Sequence, residues 1–144
     1  MSALCVTLLV VLASDQALKL LLRRRRGVDA LALGPFGSVR VVPGSLWLRR
    51  FGGPSGGAVI WCLWSAAAVP LVIVSALLPS SAAFVGLLLG GSLSHAVESS
   101  LRGSITDYVC LRFWPAFNLA DLALAAGATG LVGKLLIVIP AMVF

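Results

Sequence analysis

The sequence predicts an all-α integral membrane protein with four transmembrane helices and a small strand-containing insert between the first two. Of its 144 residues, 60% are hydrophobic and only 11% are charged, and the mean hydropathy is +1.06. A soluble domain of this size does not need so much apolar surface. Long apolar runs, with the charged residues gathered mainly between them, lead to the same fold class.

Four apolar runs have about the length of a membrane span. A helix that rises about 1.5 Å per residue needs roughly 20 apolar residues to cross a hydrocarbon core of about 30 Å. Three runs meet this length, and the shorter, more polar third run nearly does. The predicted spans of this single membrane domain, residues 1–144, are 3–22, 58–78, 81–97 and 119–144. We expect the first to be retained and not cleaved as a signal peptide, because no basic leader precedes it and it contains Asp15 and Lys19.

The insert, residues 23–57, mixes Gly, Pro and Arg with two short stretches of alternating polarity. These stretches, Ser38–Val42 and Ser45–Arg49, are typical of short strands. The large aromatic side chains of the insert suit a platform at the level of the lipid headgroups. They are Phe36, Trp47 and Phe51.

The connections between the spans predict how the helices run. Only Pro79-Ser80 joins the second span to the third, so these two helices form an antiparallel hairpin. We expect Gly90 and Gly91 to allow close packing of the third helix against its neighbours. A longer segment, residues 98–118, joins the third span to the fourth. With four spans, this segment and the insert emerge on the same side of the membrane, which therefore holds nearly all the polar chemistry.

The net charge of +6 comes mainly from arginines that lie outside the apolar runs. Charge beside membrane segments favours anionic lipid phosphates as partners over a nucleic acid, and simple topology anchoring explains it equally well. The four consecutive arginines after the first span would place the polar face in the cytoplasm by the positive-inside rule. The arginines concerned are Arg23–Arg26, Arg40, Arg49, Arg50, Arg102 and Arg112.

Few residues can hold a metal ion or form a disulfide framework. Cys5, Cys62 and Cys110 lie in or beside apolar segments without metal-ligand spacing, so we expect them to be packing residues. His95 is the single histidine, and no second histidine or cysteine lies near it in the sequence. We therefore expect no metal and no other cofactor.

The acidic residues are few, and four of the five lie in or beside predicted spans. An ionisable group at membrane depth is costly unless it is paired or functional. Asp15 precedes Lys19 by four residues, the favourable order for an ion pair on one helix. Mutual neutralisation and a substrate-facing role are both open for this pair.

Asp107 and Asp121 are expected to lie close together, because the third and fourth spans are antiparallel and these residues lie near the ends that the connection joins. Two carboxyl groups in a confined site do not both ionise easily, so one keeps its proton while the other takes a proton from water. Aspartic proteases use this arrangement. Taken alone, two aspartates at helix ends are more often capping or interfacial groups.

Four stretches of the sequence resemble the motifs of the bacterial lipoprotein signal peptidase family, signal peptidase II. That family reads D-Q-x-x-K in the first span, then G-G-x-x-G-N-x-x-D-R, V-x-D and P-A-F-N-x-A-D. The matching stretches are Asp15–Lys19 (DQALK), Gly90–Ser99 (GGSLSHAVES), Ile105–Asp107 (ITD) and Pro115–Asp121 (PAFNLAD). The match needs no gap between Gly90 and Asp107, and with the four spans and the insert it covers essentially the whole chain.

The resemblance implies a membrane aspartic endopeptidase that removes signal peptides from prolipoproteins by cutting before a diacylglyceryl-modified cysteine. It makes Asp107 and Asp121 the catalytic pair, with Asp15, Lys19 and Asn118 shaping the site. It also implies a multi-pass protein of the bacterial plasma membrane whose active site faces the extracytoplasmic side, opposite to the arginine count. We expect a monomer whose partners are the prolipoprotein and membrane phospholipids.

The departures from the family pattern fall mainly in one stretch. The family's Asn, Asp and Arg of N-x-x-D-R are replaced by His95, Glu98 and Ser99, and Ser99 cannot form the bidentate contacts of a guanidinium. On a polar helix face, His95 is expected to bond to Glu98 or to replace an amide contact, so both are candidate site-shaping residues. The insert also lacks the expected N-x-G-x-x-F. Two alternatives therefore stay open: a non-catalytic relative that binds lipidated peptides or lipids, and a structural partner with capping aspartates.

Overall fold

Four long helices dominate the computed structural model, which describes residues 2–24, 31–32, 34–43 and 56–143. They are α1 (Ser2–Arg24), α2 (Gly56–Leu77), α3 (Ala82–Arg102) and α4 (Leu119–Val143). Each contains a stretch that is long and apolar enough to cross a membrane. The predicted fold class is confirmed.

The connection between α2 and α3 is a single turn of 3-10 helix, Pro79–Ser81, as the short linker predicted. The helix α3 continues to Arg102, five residues beyond the expected end of its span. Gly103 ends it by adopting a left-handed φ of 71°, and its N–H donates to the carbonyl of Ser99, a common way to stop a helix. Glu98 and Ser99, expected at the start of a connecting segment, are therefore helical.

A three-stranded antiparallel sheet lies beside the helices, in the order β1 (Leu31–Ala32), β2 (Gly37–Pro43) and β3 (Thr106–Leu111). The strand β2 confirms the strand predicted at Ser38–Val42. The second predicted stretch, Ser45–Arg49, lies outside the described residues, and so do Trp47, Phe51, Arg25, Arg26 and Arg50. Phe36, just before β2, is 74% exposed.

The strand β3 was not predicted, because its six residues belong to the segment taken as a connection between α3 and α4. It pairs with β2 in the register Gly37 with Leu111 and Val42 with Asp107. This pairing joins the insert to the α3–α4 connection directly. Both segments therefore lie at the same end of the helices, as the count of four spans predicted.

The helix α3 is central and contacts each of the other three helices. Trp64 of α2 donates a hydrogen bond to the hydroxyl of Ser92 at 3.1 Å. On the α1 side, a Cβ at Gly90 would lie 2.8 Å from the Leu8 carbonyl oxygen. On the α4 side, a Cβ at Gly91 would lie 2.7 Å from the Ala120 carbonyl oxygen. The two glycines therefore allow α1 and α4 to approach two different faces of α3 closely, as expected.

Replacing Gly91 by Ala should destabilise the bundle, because the added methyl group meets backbone that must move. Overpacking of this kind costs about 1–3 kcal/mol. The matched control is Gly133→Ala, since a Cβ at Gly133 on α4 meets nothing within 4 Å. Thermal unfolding in detergent, followed by circular dichroism, should show a lower midpoint for Gly91→Ala alone. Equal midpoints for the two variants would contradict the packing described.

Candidate active site

Asp107 and Asp121 reach the same cavity from different elements. Asp107 is the second residue of β3, and Asp121 is in the first turn of α4. The cavity is open to the outside and has a volume of about 350 Å³. It is also lined by one imidazole and several apolar side chains, those of His95, Ile105, Trp114, Pro115, Ala116 and Phe117. The structure thus brings together the two aspartates that the sequence singled out.

The side chain of Asn118 holds the two aspartates in place. Its Nδ2 donates to Asp107 Oδ1 at 2.7 Å, while its Oδ1 accepts from the backbone N–H of Asp121 at 3.1 Å. In return, the backbone N–H of Asn118 donates to Asp121 Oδ2 at 2.8 Å. Residues 118 and 121 therefore form the reciprocal capping arrangement of a helix N-terminus. Asn118 both starts α4 and ties it to β3.

His95 approaches this group from α3. Its Nε2 lies 3.3 Å from Asn118 Oδ1 and 3.5 Å from Asp121 Oδ1. Of the two alternatives expected for this ring, the bond to Glu98 is not formed, since Glu98 pairs with Lys19 and Arg23 of α1. The imidazole is thus placed beside the carboxyl pair.

The surroundings of the Asp107 carboxyl group make its protonated form more favourable than it is in water. Burial raises the pKa of Asp107, and the negative charge of Asp121 raises it further, while the hydrogen bond from Asn118 and the more distant His95 and Lys19 oppose the increase. The negative charge of Asp121 therefore acts on the proton affinity of Asp107.

A buried charge network lies next to the cavity and does not line it. Lys19 Nζ lies 2.6 Å from Asp15 Oδ2 and 2.9 Å from Glu98 Oε2. All three side chains are fully buried. The two contacts are ion pairs by distance, although Nζ meets the angular requirement of a hydrogen bond with neither carboxylate. The predicted Asp15–Lys19 pair is formed, and its burial favours neutralisation over a substrate-facing role.

Asp15 links three further elements to α1. Its Oδ2 accepts from the Ser94 hydroxyl at 2.5 Å, and its Oδ1 accepts from the Tyr108 hydroxyl at 3.4 Å and from the Ala120 N–H at 3.3 Å. Tyr108 in turn accepts from the N–H of Leu119 at 2.8 Å. Burial raises the pKa of Tyr108, so this hydroxyl stays neutral and donates. The network fixes α1 against α3, β3 and α4.

Arg23 is a residue whose role the sequence did not reveal, because it was assigned to the insert. It lies in the last turn of α1, and its guanidinium contacts both Glu98 and the hydroxyl of Thr106, which precedes Asp107. Ser99 does not replace the missing arginine, since its hydroxyl donates to the carbonyl of His95 in its own helix. The available signal was the spacing of Asp15, Lys19 and Arg23, which places all three on one helical face.

These features define a class before any comparison: a multi-pass membrane protein that carries a bridged pair of aspartates at one end of its helix bundle. The family described as signal peptidase (SPase) II matches residues 7–137. The chain belongs to the signal peptidase II family, a family of peptidases.

Individual relatives agree with this assignment. A lipoprotein signal peptidase of Methylorubrum extorquens is 32% identical over 145 residues, covering 88% of this chain and 81% of the relative. One from Polynucleobacter necessarius is 31% identical over 93 residues, covering 59% of this chain and 52% of the relative. The chain thus spans about half the length of that second relative.

The fold also matches a solved structure described as a bacterial membrane enzyme. The TM-score is 0.78, with 94% of each chain covered and 19% sequence identity. At that identity the likeness concerns the fold alone, and it supports the arrangement of four helices and a small sheet.

Replacing Lys19 by Met should strongly destabilise the protein, because two buried carboxylates then face each other without the ammonium between them. Breaking a buried ion pair by removing one partner costs about 3–5 kcal/mol. The matched control is Lys134→Met on α4, where the side chain is only partly buried. Unfolding in a denaturing detergent should show a large loss for Lys19→Met and little change for Lys134→Met. A small effect at both positions would show that the network is not structural.

Proposed function

We propose that this protein is an aspartic endopeptidase that removes signal peptides from prolipoproteins by cutting before a diacylglyceryl-modified cysteine. One observation carries the proposal: Asp107 and Asp121 line one cavity and are bridged by the amide of Asn118. Relatives carry the name lipoprotein signal peptidase. In this chain, the residues at the family's other motif positions help to position these two aspartates.

The chemistry follows from two carboxyl groups that share one proton. The ionised aspartate takes a proton from a water molecule, whose oxygen attacks the scissile carbonyl carbon. The protonated aspartate donates to the carbonyl oxygen, so the tetrahedral intermediate carries no full negative charge. Transfer of a proton to the leaving amine then releases the signal peptide with a new carboxylate and the lipidated cysteine with a free amino group. The pair titrates as a unit.

The surroundings of the pair support a substrate that is partly lipid. The cavity lies at the end of four apolar helices. A peptide bond next to a lipid-modified cysteine could enter it there, while the acyl chains of that cysteine stay in the membrane beside the helices. Phe113 and Trp114, next to the cavity, are 88% and 67% exposed, as suits side chains at a membrane interface. Five other side chains shape the site. Asn118 and His95 lie beside the pair, and the other three act through the buried network: Asp15, Lys19 and Glu98.

Cleavage of a lipidated prolipoprotein by the protein in phospholipid vesicles tests the proposal. Asp107→Asn and Asp121→Asn should each lower the rate by at least about 100-fold, because each removes a group that takes or gives a proton. Lys134→Met should leave it unchanged. No cleavage by the folded wild-type protein would overturn the proposal and favour the non-catalytic alternative. Activity gained by Ser99→Arg in that case would identify the altered stretch as the reason.

The proposal also places the active site on the extracytoplasmic face of the bacterial plasma membrane. A reporter enzyme that is active only outside the cytoplasm, fused after Arg50, should therefore be active. A fusion after Leu78, between α2 and α3, should be inactive, because that linker lies at the other end of the helices. The reverse pattern would agree with the arginine count and contradict the assignment.

A further inference from the structure

We infer that His95 is a positioning residue whose charge sets the number of protons that the Asp107–Asp121 pair holds. The inference rests on the proposed function and deepens it. The family motif has an amide side chain at this position, which cannot change charge, whereas an imidazole can. The consequence is a pH dependence that this chain does not share with relatives that carry the amide.

The contacts of Asn118 fix the orientation of the ring. Because Asn118 Nδ2 donates to Asp107, its Oδ1 is the atom that faces His95, and that oxygen only accepts. Asp121 Oδ1, the other neighbour of Nε2, is also an acceptor. Nε2 of His95 therefore carries a hydrogen, and the second ring nitrogen decides whether the ring is neutral or positive.

The geometry places the ring against one carboxylate oxygen of Asp121. Asp121 Oδ2 is already bound by the backbone N–H of Asn118, so Oδ1 is the oxygen left to face the ring and the cavity. Among the described residues, His95 is the one basic side chain within 4.0 Å of either carboxyl group. It lines the cavity, and its side chain is only 18% exposed.

The other charged groups around the site are compensated among themselves. From α1 come Lys19 and Arg23, which are paired with Asp15 and with Glu98 of α3. From β3 comes Asp107, and from α4 comes Asp121. The ring and the two carboxyl groups thus form a separate set of three titratable groups.

The three groups compete for protons. An imidazole ring can be neutral or positively charged, whereas an amide has no charged form. A positive ring within about 4–6 Å favours ionised carboxyl groups. When a proton is lost from the state with a positive ring and one protonated aspartate, two states with the same proton count can result: a positive ring with both aspartates ionised, and a neutral ring with one protonated aspartate. Only the second has the acid that the reaction needs.

The experiment compares the pH dependence of kcat/KM for the full-length protein in phospholipid vesicles. His95→Gln has a polar amide at this position and cannot become charged. The alkaline limb of the profile, where kcat/KM falls with increasing pH, should therefore lie about one unit higher in pH than in the wild type. His95→Lys holds a positive charge permanently and should move the limb down. A merely structural role would lower the rate at every pH without moving the limb, and that result would overturn the inference.

A second measurement does not depend on activity. Because the chain has one histidine, a protein labelled with ¹³C-histidine gives a single ring signal by NMR. The midpoint of its titration should move to lower pH in Asp121→Asn than in the wild type, since the neighbouring negative charge is gone. Lys134→Met should leave it unchanged. An equal midpoint in wild type and Asp121→Asn would overturn the inference.

The two measurements separate this inference from the proposed function. Absence of cleavage by the wild type at every pH overturns the proposed function, and with it the catalytic meaning of His95. Cleavage that depends on both aspartates, with the same alkaline limb in wild type and His95→Gln, overturns the inference and leaves the proposed function intact.

Discussion

The ammonium group of Lys19, buried between the carboxylates of Asp15 and Glu98, is the constraint on which the rest of the structure depends. A charge in this position is costly unless its partners are held in place. Lys19 and Asp15 belong to α1 and Glu98 belongs to α3, so their pairing fixes how these two helices face each other. Asp15 extends the same constraint to Tyr108 on β3 and to the start of α4. One group of charges therefore orients four elements of the fold.

The carboxyl pair depends on that group through the first turn of α4. Tyr108 receives the N–H of Leu119 while it donates to Asp15, and Leu119 directly follows Asn118, whose amide holds both aspartates. The buried network and the cavity thus meet at two consecutive residues. Through this connection, Asp15 supports the start of α4 without lining the cavity, and Lys19 acts through its ion pair with Asp15. It also shows why the aspartates need a rigid helix start, since Asp121 is positioned by the cap itself.

Hydropathy was sufficient to predict the four helices, and the antiparallel connection of the third and fourth spans was sufficient to predict that Asp107 and Asp121 meet. What the sequence did not reveal depends on tertiary contacts. The strand β3 exists because β2 lies beside it, and a six-residue segment between two spans carries no periodic signal of its own. The end of α3 depends on the left-handed Gly103, which resembles any loop glycine in a sequence.

Arg23 was assigned to the insert because hydropathy falls there, although the helix continues and the side chain has partners. The contact between His95 and Asp121 joins residues on different helices, so no local pattern shows it.

The division of the charge network between helices also bears on how the chain enters the membrane. Of the network's members, α1 carries Lys19 and Arg23 against Asp15 alone when it is synthesised, which is one positive charge in excess within the network. The balancing carboxylate, Glu98, is made more than seventy residues later, at the far end of α3. Until then the lower part of α1 has an unneutralised cation, which Arg23 can keep among headgroups from the last helical turn. The ion pairs of Lys19 and Arg23 with Glu98 can form only after α3 has been made, so the order of translation imposes an order on the assembly of this network.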